Sequence, residues 1–355
     1  MTTGSDFNIY DWFDSHAEAR DGFLSRTGWA DATVMPVSED CAMRRYLRLM
    51  KGGKSVILLE SLPDTHPNAT PGHRVSDFAR IGGYLQKCGL HTPEIYEGEP
   101  DEGLLLIEDF GDVTFKKALS GGIPRSAMYG LATDVLIHMR DHVAGDVKDG
   151  GIELPHYHDS IIHRDRRHVI DWYLPSITGR EADEDTARDY LAVWDGIEQG
   201  LPKPREGVLH IDFHFENLIW MPQESGLARC GILDFQQAMT GPLAYDLANL
   251  LGDARISVGD DIRKSMTGRY CAGMSAEERE NFESWLTVLM AQFHCRVIGL
   301  FVRMKVRDHK DAYLKHIPRV AAYLENELAD PVLKPLKDWF DGHDISFAKI
   351  PAIAA

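Results

Sequence analysis

The sequence predicts an α+β fold in two lobes, a small antiparallel β-sheet within residues 1–107 and a mainly helical body within residues 108–355. Three observations carry that expectation. Apolar, β-branched runs separated by turn residues fill Thr33 to Glu60 and recur at Leu104–Ile107. Later segments instead place apolar residues at helical spacing. A chain of 355 residues is long for one core and suits two lobes with a cleft between them.

Taken in order, residues 6–28 set Tyr10, Trp12, Phe13 and Phe23 among acids, as a helix packing on the first lobe would. Thr33 to Glu60 reads strand–turn–strand, with Lys51-Gly52-Gly53-Lys54 as a turn before the strand Ser55-Val56-Ile57-Leu58-Leu59. Gly53-Lys54-Ser55 is not a phosphate-binding P-loop. That motif needs a glycine where Arg48 stands and must open a helix, whereas an apolar β-branched run follows. Phe78, Ile81, Leu85 and Cys88 mark a helix between Pro71 and Cys88, which Gly89 ends. Residues 91–99 read as a connector and Leu104–Ile107 as a buried strand. Met128, Leu131, Ala132, Val135, Leu136 and Met139 form an amphipathic stripe, the core helix of the second lobe. Residues 142–206 are the least legible; Phe282 to Met304 carries a second long apolar stripe.

Composition narrows the partners. With 55 acidic against 38 basic residues the formal net charge is −17, which disfavours nucleic acid and anionic membrane surfaces. Five scattered cysteines (Cys41, Cys88, Cys230, Cys271, Cys295), odd in number and without a C-x-x-C, fit reduced thiols in a cytoplasmic protein. The first residues show no basic stretch followed by an apolar run, and no run of about 18 apolar residues occurs, so neither a signal peptide nor a membrane span is expected.

The chemistry concentrates between Gly207 and Asp253. His210-x-Asp212-x-x-x-x-Asn217 is followed by Asp234 within Gly-Ile-Leu-Asp-Phe, the layout of a phosphoryl-transfer loop and its metal-binding strand. Such transfer needs positioning and charge neutralisation more than covalent help. Asp212 suits the carboxylate that accepts the proton of the attacking hydroxyl. Asn217 and Asp234 offer the hard oxygen ligands that Mg²⁺ takes alongside phosphate and water. The apolar residues around them read as short buried strands that anchor the loop.

On these residues the chain resembles the aminoglycoside phosphotransferase and choline kinase family, relatives of protein kinases, through His-Ile-Asp-Phe-His-Phe-Glu-Asn, Ile-Leu-Asp-Phe and Tyr-Asp-Leu-Ala. Within it, Arg44 to Arg48, Leu104 to Asp112, Gly241 to Arg255, Ile298 to Phe301 and His316 to Arg319 are similar to bacterial cell-wall amino-sugar anomeric kinases. The likeness runs from about Ser38 to Leu328. It implies a protein-kinase-like two-lobed fold with ATP and Mg²⁺ as cofactors. Residues 1–107 become a nucleotide-binding lobe and residues 108–355 a catalytic and acceptor-binding lobe. The implied activity is phosphorylation of the anomeric hydroxyl of N-acetylmuramate or N-acetylglucosamine, in peptidoglycan recycling, by a cytoplasmic monomer.

The resemblance also distributes roles. The backbone of residues 107–110, at Glu108, Asp109 and Phe110, would meet the adenine edge; Asp246 would brace the catalytic loop and His210 orient it. Protein kinases have a glycine-rich loop and a strand lysine, but Asp40 to Arg48 holds no glycine and the positions near Leu59 and Glu60 hold no cation. The amides of Asp40–Met43 and the guanidinium of Arg44 or Arg45 are the candidates to grip phosphate, with solvated strand arginines as the alternative. Ala42 stands where the sugar kinases tend to have serine. His214 faces acceptor, phosphate or a bracing role. Asp171 beside Trp172 can stack on and hydrogen-bond a sugar, or simply anchor a helix end. Arg296, Arg303, Lys305 and Arg307 share one helix, where most are expected to be solvated and one or two can face the cleft and an anionic acceptor. His156, His158 and His163 to His168 lack a carboxylate at metal-binding spacing. Two other readings stay open: a kinase for choline, an aminoglycoside or an amino acid, and a nucleotide-binding module without catalysis.

Overall fold

The computed structural model describes residues 7–38, 44–145, 151–349 and 351. The chain divides into two compact units, one of residues 1–121 with 215–238 and the other of residues 122–214 with 239–355.

Along the first stretch, helices α1 (Ile9–Ser15) and α2 (Ala17–Arg26) precede strands β1 (Thr33–Ser38), β2 (Arg44–Lys51) and β3 (Lys54–Ser61). Helix α3 (Val75–Lys87), strands β4 (Ile95–Glu99) and β5 (Leu104–Glu108) and helix α4 (Phe115–Ser120) follow. The five strands make one antiparallel sheet in the order β1-β2-β3-β5-β4. Gly52 and Gly53 both take positive φ (58° and 76°), the conformation that a two-residue hairpin with native twist requires, so the predicted turn stands. Strand β4 occupies the stretch read as a connector. It is an edge strand, and its Ile-Tyr-Glu-Gly-Glu sequence has no apolar alternation to announce it.

Alternation along the strands sorts their side chains. Leu49, Val56, Leu58, Leu104 and Leu106 point to the face covered by Phe23 and Leu24 of α2. Glu60 lies on this face and is fully buried. Where a protein kinase would place its strand lysine, the chain therefore buries a carboxylate. Arg45, directly across on β2, donates to Glu60 through Nε at 3.0 Å and also through Nη2, and its guanidinium lies 4.5 Å over the Phe13 ring. Arg20 of α2 donates to the other Glu60 oxygen at 3.2 Å. The ion pairs tie the N-terminal helices to the sheet.

The second unit opens with α5 (Arg125–His142), short α6 (Ile161–Arg164), a π-helical turn at Val169–Tyr173, α7 (Leu174–Thr178) and α8 (Glu184–Gly200). Strand β6 (Glu206–Leu209) precedes the crossing to residues 215–238, which add the hairpin β7 (Leu218–Trp220) and β8 (Cys230–Ile232) to the first unit. Strand β9 (Met239–Pro242) returns to pair with β6, and α9 (Ala244–Leu251), α10 (Asp260–Tyr270), α11 (Ala276–Val306), α12 (Ile317–Glu327) and α13 (Lys334–Gly342) complete the unit.

Helix α11 organises this unit. Ser275 and Glu278 cap its start reciprocally. Its Val288, Cys295, Ile298 and Phe301 pack with Ile170, Tyr173, Trp194, Val320, Leu324 and Phe340. By length and composition α11 is apolar enough to cross a membrane, but most of that stretch is buried inside the unit. It also carries His294, which bonds Glu327 at 2.8 Å and the Gly252 carbonyl at 2.7 Å. A core helix explains all of this.

Replacing Arg45 with Met should lower stability by roughly 2–3 kcal/mol, the usual scale for uncovering a buried charge. Urea denaturation of Arg45→Met checks this, and an unchanged midpoint would show that the Glu60 cluster does not hold the helices.

Candidate active site

The base-bearing half of the motif belongs to the second unit. The β6–β9 ladder ends at Leu209 opposite Met239, and His210-Ile211-Asp212 continues from it. Ile211 takes φ +79°, a left-handed conformation that a β-branched residue adopts only under constraint. The constraint comes from α9. Asp246 accepts the backbone N–H of His210 at 2.6 Å and of Ile211 at 2.9 Å, and Asn249 donates to the Ile211 carbonyl at 2.8 Å. Every residue of α9 is buried, so its carboxylate and amide need partners, and the loop supplies them. Burial pushes the Asp246 carboxyl up to about 7, against the pull of the two amides. His210 is buried with its ring edge-on to Phe213.

The kink presents Asp212 with 49% of its side-chain surface open. His214 Nε2 lies 3.4 Å from its carboxylate, and the His214 N–H donates to the Asp212 carbonyl. Burial works to raise this carboxyl, but His214, Arg255 and His210 outweigh it and hold it well below the usual carboxylate range.

The metal-ligand half belongs to the first unit. The β7–β8 hairpin pairs Leu218 with Ile232, and the Leu233 N–H donates to the Asn217 carbonyl at 2.9 Å, so Asn217 and Asp234 leave the same end of one ladder. Asp234 takes φ +60°, which aspartate tolerates, and accepts from Gln236 Nε2 at 2.6 Å. Phe235 inserts beneath α3, where a Cβ on Gly82 would come within 2.8 Å of its ring. The donor set fits Mg²⁺: a neutral amide oxygen and a carboxylate, projecting from one rigid hairpin end, with the remaining ligands left to phosphate and water.

Arg44 and Arg45 separate in the structure. Arg45 is the partner of Glu60; Arg44, one residue earlier, points to the opposite face of the sheet. It is buried, donates to the Gly72 carbonyl at 3.2 Å, and its Nε has no hydrogen-bond partner among the described residues. The Gly72 N–H in turn donates to Asp77 of α3 at 2.8 Å. Beside it, His73 has its pKa lowered by burial and by Arg44, with Asp234 and Asp77 acting in the opposite sense. Arg44, His73 and Asp234 thus share one electrostatic neighbourhood. The proximity of His73 to Asp234 escaped the sequence because nothing in its spacing links the two. Asp40–Met43, including Ala42, lie outside the described residues.

At the predicted hinge, the Glu108 N–H already donates to the Glu94 carbonyl at 2.8 Å, so it is not a donor for adenine. Asp109 is paired with Arg48 (2.7 and 2.8 Å), which also reaches Asp112. The Phe110 ring packs on Gly231, where a Cβ would come within 2.7 Å of it. In the second unit, Asp171 sits on the π-helical turn and pairs with Arg167 at 3.0 Å, while Trp172 packs against the α11 core.

The histidine-rich stretch does acquire carboxylates, Glu198 from α8 and Glu206 from β6. Neither group is set for a metal. Arg166 donates to Glu198 at 3.1 Å and lies against His163, so a cation already fills that cluster. His156 Nδ1 accepts the His158 N–H, which leaves its proton on Nε2, the nitrogen 3.3 Å from Glu206 and the one that would have to ligate.

The profile of the phosphotransferase enzyme family matches residues 33–281, most of the chain, and the chain belongs to that family. An N-acetylmuramate/N-acetylglucosamine kinase of Caulobacter vibrioides is 31% identical over 348 residues, covering 91% of this chain and 95% of that one. One of Pseudomonas aeruginosa is 30% identical over 314 residues, covering 85% and 86%. Among solved structures, choline kinase of Cryptosporidium parvum superposes with a TM-score of 0.57 at 12% identity, covering 92% of this chain and 99% of that one. The GDP complex of aminoglycoside 2'-phosphotransferase-IIIa gives 0.55 at 14% identity, covering 88% and 98%. The two-lobed, protein-kinase-like α+β fold is therefore the fold of this chain.

Because His214 is the largest influence lowering the Asp212 pKa, His214→Ala should raise the pKa of the base. The acidic limb of the kcat/KM profile then moves to higher pH. Phosphotransfer rates followed for both proteins from neutrality down to the lowest pH at which each stays folded check the sign, and coincident limbs would remove His214 from this role.

Proposed function

We propose that this phosphotransferase moves the γ-phosphoryl group of ATP onto the anomeric hydroxyl of N-acetylmuramate or N-acetylglucosamine, giving the sugar 1-phosphate and ADP. The observation that carries the acceptor is the match, over most of both chains, to relatives that bear the name of that activity. The Ile211 kink supports the chemistry, since it sets an ionised, half-open Asp212 at the end of a rigid ladder. Asp212 orients the hydroxyl and takes its proton as the new oxygen–phosphorus bond forms and the bond to the ADP oxygen breaks. An anomeric hydroxyl is more acidic than an ordinary alcohol, so this proton moves late.

Asn217 and Asp234 are the residues to hold Mg²⁺, which when bound neutralises charge on the transferring group. Arg44, with an unsatisfied Nε on the side of the sheet that carries Asp234's neighbourhood, is the cation we assign to phosphate in place of the strand lysine; Arg45 serves Glu60. Solved neighbours of the same fold with bound GDP and ADP support nucleotide use. On this reading residues 1–107 bind nucleotide and residues 108–355 carry catalysis and the acceptor, although the hairpin bearing Asn217 and Asp234 packs with the first unit. Main-chain groups at Asp109 and Phe110 meet the adenine, while His214, Asp171 and Trp172 remain the acceptor-side residues. The enzyme works as a cytoplasmic monomer, consistent with free thiols at Cys88, Cys230, Cys271 and Cys295.

The test is ³¹P NMR of the protein with MgATP and one acceptor at a time: N-acetylmuramate, N-acetylglucosamine, choline or kanamycin. A sugar 1-phosphate resonance is expected, its rate of appearance falling at least ~10²-fold in Asp212→Asn. Product with choline or kanamycin alone would discard the sugar. Bound nucleotide without product from a wide panel would leave a module without catalysis.

A further inference from the structure

Within the second unit, α11 presses its Gly299 onto the backbone entering the π-helical turn. A Cβ there would stand 2.0 Å from the His168 carbonyl oxygen and 2.7 Å from the Val169 nitrogen. Only glycine permits that approach. It brings Arg296 and Arg303, three residues before and four after Gly299 and hence on its face of the helix, beside Asp165 and His168. Arg303 Nη1 lies 3.4 Å from His168 Nε2, and its Nε is buried without a hydrogen-bond partner among the described residues. His168 is 3.6 Å from Asp165. Burial, together with Arg303 and Arg296, pushes the His168 pKa down to about 4, so the imidazole adds no charge near neutrality.

Arg296 is the odd member of this group. One turn before it, Gln292 meets the Tyr157 hydroxyl at 3.4 Å, and the Tyr157 ring packs 4.7 Å from that of Tyr245. Arg296 stands 5.7 Å over the Phe293 ring, and its charge is felt by Tyr245, Tyr157, Asp212 and Asp165. Yet no hydrogen bond or ion pair joins its guanidinium to any described residue. In a chain of net charge −17 an acidic partner is easily found. Arg296 is half-buried, and a guanidinium held there without a carboxylate keeps its fork of donors free for a ligand.

We propose that Arg296, backed by Arg303, receives the carboxylate of an acidic amino-sugar acceptor and so sets a preference for N-acetylmuramate over N-acetylglucosamine. The inference rests on the acceptor reading above. The two sugars differ by a lactyl ether on O3, a carboxylate on a short arm two ring carbons from the anomeric centre. Arg296 lies within electrostatic reach of Asp212, the group that would meet the anomeric hydroxyl. A planar fork of N–H donors matches a carboxylate bidentately.

Steady-state ADP release is measured for both sugars with the wild-type protein, Arg296→Gln and Arg296→Lys. In Arg296→Gln the ratio of kcat/KM for N-acetylmuramate over N-acetylglucosamine should fall about 10- to 100-fold, mainly through KM, the scale of a charge-assisted hydrogen bond. Arg296→Lys, which keeps the charge and loses the fork, should fall between. An unchanged ratio with equal losses on both sugars overturns the proposal and gives Arg296 a role common to every acceptor. Should Arg296→Gln fail to fold, the ratio in Arg296→Lys decides in the same sense. A wild-type protein inactive on both sugars overturns the acceptor reading itself, and this inference falls with it.

Discussion

The grip of Asp246 on two consecutive backbone amides is the constraint from which the chemistry follows. Ile211 has no intrinsic reason to be left-handed, and the cost of that conformation is on the order of 1–3 kcal/mol. Two N–H donors on one carboxylate, with Asn249 on the carbonyl of the same residue, fix it in place. The kink reverses the direction in which the next side chain leaves the backbone. Asp212 therefore opens to solvent while its neighbours Ile211 and Phe213 are buried. A residue far along the chain thus fixes the backbone that aims the base.

Arginine placement shows the same division between scaffold and chemistry. Arg45 and Arg48 have carboxylate partners and hold strands and helices together. Arg44, which is buried, and Arg296, which is half-buried, have no such partners among the described residues, and each lies in a neighbourhood that includes one of the motif aspartates. An ion pair already satisfied internally has little left to offer a ligand, whereas an unsatisfied guanidinium gains from one.

Much of this was legible in the sequence because the signals were local. The Gly52-Gly53 turn and the stripes of α3, α5 and α11 need only neighbours a few residues away, and Asp212, Asn217 and Asp234 fall within one short stretch of chain. What was lost depended on register or on distant chain. Arg45 faces Glu60 only because β2 and β3 pair in one register, and nothing in Arg44-Arg45 says which of the two looks inward. Strand β9, Met-Thr-Gly-Pro, has no strand character and forms because β6 needs a partner. Helix α8 did carry a stripe in Ala187, Tyr190, Trp194 and Ile197, hidden among acidic residues. Asn249 had a readable signal too: it stands three residues after Asp246 on an otherwise apolar helix, where two polar groups on one face call for a shared partner.

The buried Glu60 also bears on how the gene can be cut. A chain shortened to begin at β1 would retain every residue of the phosphoryl-transfer motif, and motif-based domain boundaries would endorse it. It would nevertheless discard Arg20, the Phe13 ring beneath Arg45, and the Phe23 and Leu24 that cover the sheet. Glu60 would then be left to Arg45 alone on a face opened to water. The limit for truncation, tag placement and domain fusion is thus set by the helices before β1, which carry no motif at all.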